Sequence, residues 1–277
     1  MSAAMTIASA LAAAQAAIGR IEARVLLREV LQQNDAWLLA HGDVALTATQ
    51  MQQLTAQVAR RVAGVPIAYI TGRREFYGRD FSVTPAVLIP RPETELLVEL
   101  ALQRVPDAVS CRVLDLGAGS GCIGITIAAE RPQAQVILID GSAAALEIVR
   151  VNAAQWAPAN TTILHSDWYA AIGAERYDLI VSNPPYVADG DAHLQQGDLR
   201  YEPSSALTAG SDGLRDLRAI IAQAPQYLRA GGWLLLEHGF DQAEDCAQLL
   251  AAAGLQEIFN APDLAGIPRV SGGRLVA

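Results

Sequence analysis

The chain has 277 residues and a formal net charge of -9, from 20 basic against 29 acidic side chains. All 20 basic residues are Arg and none is Lys, which excludes Schiff-base chemistry, a Walker-type phosphate loop and a lysine general base. The acidic balance argues against affinity built on neutralising a nucleic-acid backbone, and the length suits one large or two unequal domains with a full core. The three cysteines, Cys111, Cys122 and Cys246, are widely spaced and odd in number. That pattern predicts buried thiols in a reducing compartment, with no disulfide framework and no zinc site.

Residues 1–19 carry no charge and are rich in Ala. They lack the basic start of a secretory signal and are too diluted for a membrane span, so an Ala-rich helix in a cytoplasmic protein is expected. Ile18, Ile21, Val25, Leu26, Val30 and Leu31 then recur at helical spacing. Asp35 opens a short helix through Trp37, Leu38 and Leu39. Thr47 stands three residues before Gln50, the spacing of a capping box ahead of Met51, Leu54 and Val58, and Gly64 with Pro66 ends that run. Residues 1–75 therefore read as a small helical domain.

The β-formers Tyr69, Ile70, Phe76, Tyr77, Phe81, Val83, Val87 and Leu88, punctuated by Gly72, Gly78 and Pro85, predict a hairpin or strand-rich linker, assigned to 76–92. An apolar helix follows from Leu96. Beyond residue 111 strands and helices alternate. Strands are expected at Arg112–Leu116, Gln135–Asp140, Thr162–His165, Tyr177–Ser182, Trp233–His238 and Leu255–Phe259. Helices are expected at Ile123–Arg131, Ala143–Ala154, Leu214–Leu228 and Gln242–Ala253. Such alternation predicts an α/β domain over 93–277, a doubly wound, Rossmann-like sheet with helices on both faces.

Four features carry chemistry. Asp115-Leu116-Gly117-Ala118-Gly119-Ser120-Gly121 directly follows a strand, where glycines let backbone approach a ligand and the next helix start favours negative charge. Asp140 ends the next strand, about 20 residues on, where an acid accepts hydrogen bonds from two ribose hydroxyls. Asp167-Trp168 follows the third strand, an acid and an aromatic suited to an adenine amino group and ring. Asn183-Pro184-Pro185-Tyr186 ends the fourth strand. Its prolines remove two N–H donors and leave the Asn183 side-chain oxygen and the Pro184 carbonyl as acceptors for a planar NH₂ group that Tyr186 can cover. His165 and His238 sit in apolar strands and are expected to be satisfied core histidines, leaving no clear general base.

The last motif is similar to the signature of methyltransferases that modify an sp² amino nitrogen. The rest of the chain resembles the glutamine methyltransferases of peptide chain release factors. Pro66–Gly72, Glu75–Gly78, Val87–Glu95, Tyr201-Glu202-Pro203, Gly210 with Asp212–Leu214, Glu237–Gly239 with Gln242, and Asp263–Gly266 with Arg269 carry that resemblance. Ala118 departs from a frequent Thr, and Gly141 from a side chain after the acid. The resemblance implies a class I S-adenosylmethionine-dependent methyltransferase fold with a seven-stranded sheet, a five-helix N-terminal domain and a hairpin linker. It implies methyl transfer to the glutamine of the Gly-Gly-Gln motif in class I release factors, with S-adenosylhomocysteine as product. Gly117–Gly121, Asp140, Asp167, Trp168 and Asn183 would bind cofactor, and Asn183–Tyr186 would bind and align substrate. The helical domain would recognise the release factor, with no direct nucleic-acid or membrane contact. An adenine-amino methyltransferase of DNA or RNA shares Asn-Pro-Pro-Tyr but calls for a basic groove. A nicotinamide dehydrogenase shares the glycine loop and Asp140 but leaves Asn183–Tyr186 without a role, as does a non-catalytic binding module.

Overall fold

The computed structural model describes residues 5–107, 109–157 and 159–276; residues 1–4 of the Ala-rich stretch lie outside them. The chain divides into two compact units, residues 1–72 with 196–201, and residues 73–195 with 202–277.

The first unit holds five α-helices among the described residues: α1 (Ile7–Ile18), α2 (Arg20–Leu31), α3 (Asp35–Ala40), α4 (Ala48–Val62) and α5 (Ile67–Thr71). Local capping explains where several start. Thr6 caps α1 and Asn34 caps α3, accepting from Ser9 N–H and Trp37 N–H. Thr47 and Gln50 form the reciprocal capping box that their spacing predicts. Ile7, Leu26, Leu27, Leu38, Leu54 and Ile70 make the core. Tyr69 and Ile70, expected as strand formers, lie in α5 instead. Pro66 presets the first turn, Gly72 closes it at φ 74°, and burial of Ala68, Tyr69 and Ile70 outweighs their β preference.

The second unit opens with a hairpin, β1 (Arg73–Phe76) and β2 (Arg79–Ser82). Its two-residue turn, Tyr77-Gly78, has positive φ at both positions (52° and 73°), the geometry that matches strand twist. Residues 73–75, expected at the end of the helical stretch, are strand, and 83–88 lie beyond the end of β2 in irregular backbone. A 3₁₀ turn at Pro92–Thr94 leads into α6 (Glu95–Leu102).

The rest is a seven-stranded sheet in the order β5-β4-β3-β6-β7-β9-β8. The parallel part comprises β3 (Arg112–Leu116), β4 (Gln135–Asp140), β5 (Thr161–His165), β6 (Tyr177–Ser182) and β7 (Leu228–Glu237). It is flanked by α7 (Cys122–Glu130), α8 (Ala143–Trp156), α9 (Arg215–Tyr227) and α10 (Ala243–Ala252). Alternate residues of each central strand enter opposite cores. Val113, Val136, Leu138 and Leu235 pack with α6, α7 and α8, while Leu114, Ile137, Ile139 and Leu234 pack with α9 and α10. Both faces are thus covered, which accounts for the continuous apolar runs of these strands.

The antiparallel edge was only half visible in the sequence. β8 (Gln256–Pro262) was expected in part, but β9 (Pro268–Arg274) was not. Gly272 and Gly273 hide β9 because glycine lowers strand propensity. The structure needs glycine there, since a Cβ at Gly272 would lie 2.6 Å from both Leu235 and Phe259. Strand order reverses between β3 and β6, so the carboxyl ends of these two strands open the crevice where α/β sheets hold ligands. Among the described residues no helix is long and apolar enough to cross a membrane.

Candidate active site

The glycine loop and the Asn-Pro-Pro-Tyr segment leave the sheet side by side, because Leu116 pairs with Ser182 in register. Ser182 reinforces the junction, its hydroxyl donating to the Leu116 carbonyl at 2.6 Å. A cavity of about 380 Å³ opens above them, within the range of small-molecule sites. Its walls bring together Gly117, Ala118, Gly119, Ser120, Asp140, Asp167, Trp168, Asn183 and Pro185. Gly121, Pro184 and Tyr186 are not part of that lining.

Gly117, Gly119 and Gly121 all have positive φ (72°, 58° and 82°), where other residues are strained. Ala118 pins the loop through backbone, its N–H donating to the Ile139 carbonyl at 2.8 Å. The loop is thus held at this position by backbone and not by a side chain. Gly121 serves packing: a Cβ there would meet Ile125 Cδ1 at 2.5 Å.

Asp140 is tied to this loop. Its Oδ2 accepts from Gly119 N–H and its Oδ1 from Ser142 N–H, each at 2.8 Å. A carboxylate has about four lone-pair sites, so acceptor capacity remains for a ligand. Beneath it Asp115 is fully buried. Its Oδ2 accepts from Gly124 N–H at 2.8 Å, and its Oδ1 has no hydrogen-bond partner among the described residues. Burial pushes this acid up to about 7 against the pull of the Gly124 N–H, and the charge of Asp140 pushes the same way as burial.

Trp168 has φ 43°, an uncommon conformation for a bulky residue. Its carbonyl is held by the Ser166 hydroxyl at 3.0 Å, and its ring lies where a Cβ at Gly117 would come within 3.3 Å. Asp167 is exposed at the rim.

Asn183 is half-buried and Pro184 buried. The Asn183 Nδ2 donates to Thr94 Oγ1 at 3.3 Å. Tyr186 is anchored twice. Its carbonyl accepts from Gln242 Nε2 at 3.0 Å, and its hydroxyl donates to Glu237 Oε1 at 3.4 Å. Burial, with the Glu237 charge, raises the Tyr186 phenol well above its ordinary value, so it stays protonated.

Thr94 and Glu237 also contact this site, through Asn183 and Tyr186. The sequence signal for Glu237 is only an acid closing an apolar strand; the register of that strand with β6 is what sets it level with Asn183. His238 is a satisfied core histidine as expected, bonded to the Gly239 carbonyl and to Ser271. His165 is not: it is exposed, because β5 is an edge strand, and its Nε2 meets the Gly141 carbonyl at 2.9 Å.

Comparison with known proteins agrees with this architecture. The family model "Methyltransferase small domain" matches residues 93–198, and "PrmC N-terminal domain" matches 3–72. A release factor glutamine methyltransferase of Xylella fastidiosa is 51% identical over 264 residues, covering 95% of this chain and 96% of the relative. The protein of that name from Bordetella pertussis is 51% identical, covering 92% and 95%. The one from Escherichia coli K12 is 44% identical, covering 92% of each. A methyltransferase from Pyrococcus furiosus has the same fold at TM-score 0.55 and 16% identity, covering 80% of this chain and 98% of that one. A 16S rRNA methyltransferase of T. thermophilus, solved with AdoMet and guanosine, aligns at TM-score 0.54 and 22% identity. That alignment covers 73% of this chain and about half (49%) of that one. With near-full-length identity of this order, the chain belongs to the release factor glutamine methyltransferase family.

Proposed function

We propose that the protein transfers a methyl group from S-adenosylmethionine to the side-chain amide nitrogen of the glutamine in the Gly-Gly-Gln motif of class I release factors. The reaction supports translation termination in the cytoplasm. The observation that carries this reading is Asn183, which stands in the wall of the same cavity as Asp140 and the glycine loop, with its Nδ2 occupied by Thr94. Its Oδ1 is then the atom left to accept from an incoming amide.

The residues present fit the donor. Left-handed glycines at 117 and 119 give a cradle without side chains, and Asp140 offers one spare acceptor site per oxygen for two ribose hydroxyls. Trp168 supplies an aromatic face for adenine, and Asp167 an acceptor for its amino group. When bound, S-adenosylmethionine supplies an electrophilic methyl carbon on a sulfonium.

The protein's task is alignment, because an amide nitrogen is a weak nucleophile whose lone pair is delocalised. Asn183 Oδ1 and the Pro184 carbonyl each accept one amide N–H, which orients the nitrogen toward the methyl. As positive charge grows on nitrogen these acceptors bind more strongly, which is selective stabilisation of the transition state. Holding the partners in line accounts for about 7–11 kcal/mol of the barrier. Tyr186, anchored by Gln242 and Glu237, holds the loop that carries these acceptors, and the proton leaves to solvent after transfer. The helical unit serves as the recognition element for the release factor.

The direct test is Asn183→Ala. Methyl transfer to release factor is expected to fall at least about a hundredfold, while calorimetry still detects S-adenosylhomocysteine binding. Turnover near wild type would remove Asn183 from the mechanism.

A further inference from the structure

We propose that Glu237 is a positioning residue for the acceptor site: its carboxylate takes the donors of Tyr186 and Asn183 from behind the cavity and so keeps the Asn183 oxygen turned to the substrate amide. The proposal rests on the functional reading above and adds the residue that sets the orientation of its key acceptor.

The sheet makes the pairing. Ser182 and Leu236 are register partners in parallel strands β6 and β7, so the next residues, Asn183 and Glu237, emerge side by side. Glu237 is 2% exposed and lies outside the cavity lining. It therefore reaches Asn183 and Tyr186 from the protein side. Its Oε1 already accepts from the Tyr186 hydroxyl. Its Oε2 is buried with no hydrogen-bond partner among the described residues, a costly state that asks for a donor. Asn183, level with Glu237 in the register of the two strands, is the group placed to become that donor. Its NH₂ carries two N–H groups, and Thr94 takes one of them.

The orientation matters because a side-chain amide has two nearly isosteric faces. With acceptors behind it, the NH₂ faces inward and Oδ1 faces outward. Without them the amide is free to turn and would present donors to the donors of the substrate. Thr94 alone cannot decide this, since a hydroxyl both donates and accepts. A carboxylate only accepts, so Glu237 breaks the tie.

The titratable and charged groups facing Glu237 come from three other elements. Arg269 on β9 favours its ionised form, while Cys122 on α7 and Tyr186 on the β6 loop feel its charge. Burial dominates and pushes the acid up to about 7, against the contacts of Thr94, the charge of Arg269, Tyr186 and Asn183. The positioning form, the carboxylate, therefore populates as pH rises through neutrality.

The test compares wild type with Glu237→Gln, using release factor and saturating S-adenosylmethionine between pH 6 and 9. Wild-type kcat is expected to rise with pH along a limb centred near 7. The Gln variant, which must aim its own NH₂ at one of the two donors, is expected to lose at least about tenfold in kcat at pH 8 and to lose the limb. Its affinity for S-adenosylhomocysteine by calorimetry should stay within about twofold of wild type. Wild-type kcat in the variant, a retained limb, or a matching loss of cofactor affinity would overturn the proposal. A second measurement needs no variant and no turnover. The Asn183 side-chain amide resonances of the wild-type protein should shift with pH about a midpoint near 7, and pH-independent resonances would overturn it equally. Absence of methyl transfer by wild type at every pH would instead remove the functional reading, and the amide titration would still judge Glu237.

Discussion

At the scale of single residues, the site rests on carboxyl groups placed in unequal surroundings. Asp140 accepts two backbone N–H bonds, while Asp115 and Glu237 are buried, each with one oxygen lacking a partner among the described residues. Buried acids of this kind carry a stability cost with a definite pH sign. Asp115 has its folded-state value raised to about 7 from the ordinary 3.8. The folded protein therefore holds that proton more tightly than the unfolded chain. Below about pH 4 the acid is neutral in both states and costs nothing; as pH rises toward 7 stability is lost, and above 7 the loss is complete. Asp115→Asn removes the ionisation. Its stability relative to wild type should improve between pH 4 and pH 8 by on the order of 4 kcal/mol, measured by denaturant unfolding. Any constant cost of the new amide cancels in that difference. A difference independent of pH would mean that Asp115 does not titrate with folding.

At the scale of elements, the register of β3, β6 and β7 brings Gly117, Asn183 and Glu237 to one edge. The loop after β6 is then fixed by groups remote in sequence. Gly213 has φ 71°, and a Cβ there would lie 2.3 Å from the Tyr186 carbonyl oxygen. Gly213→Ala should therefore shift the Asn-Pro-Pro-Tyr loop and cost about 2 kcal/mol or more in stability. Methyl transfer should fall further than cofactor affinity. Wild-type activity in that variant would show the loop to be adaptable.

Much of this was legible beforehand, for physical reasons. Arg112–Leu116, Gln135–Asp140 and Tyr177–Ser182 are central strands whose apolar runs end at polar or glycine residues, so their bounds match the expected ones. β9 escaped because its glycines are selected by close packing and not by strand propensity. α5 escaped because the burial of Tyr69 and Ile70 is a tertiary effect. In the site, Asn183 and Asp140 announced themselves by their place at strand ends. The roles of Thr94 and Glu237 depend on contacts across 89 and 51 residues of chain, which no local pattern reports.

At the scale of the whole molecule, the composition agrees with the site. A chain with no Lys and a charge of -9 suits a reaction run by acceptors and backbone, and it suits a protein acceptor better than a nucleic acid. The family relationship and the cavity chemistry converge on one central claim, that the methyl group ends on a release factor glutamine. Incubation with methyl-labelled S-adenosylmethionine and release factor, DNA or RNA, followed by mapping of the label, tests that claim most directly. Label is expected in the release factor alone, on the side-chain nitrogen of the Gly-Gly-Gln glutamine, and none when that glutamine is replaced. Label on a nucleic-acid base, or on another residue of the factor, would contradict it.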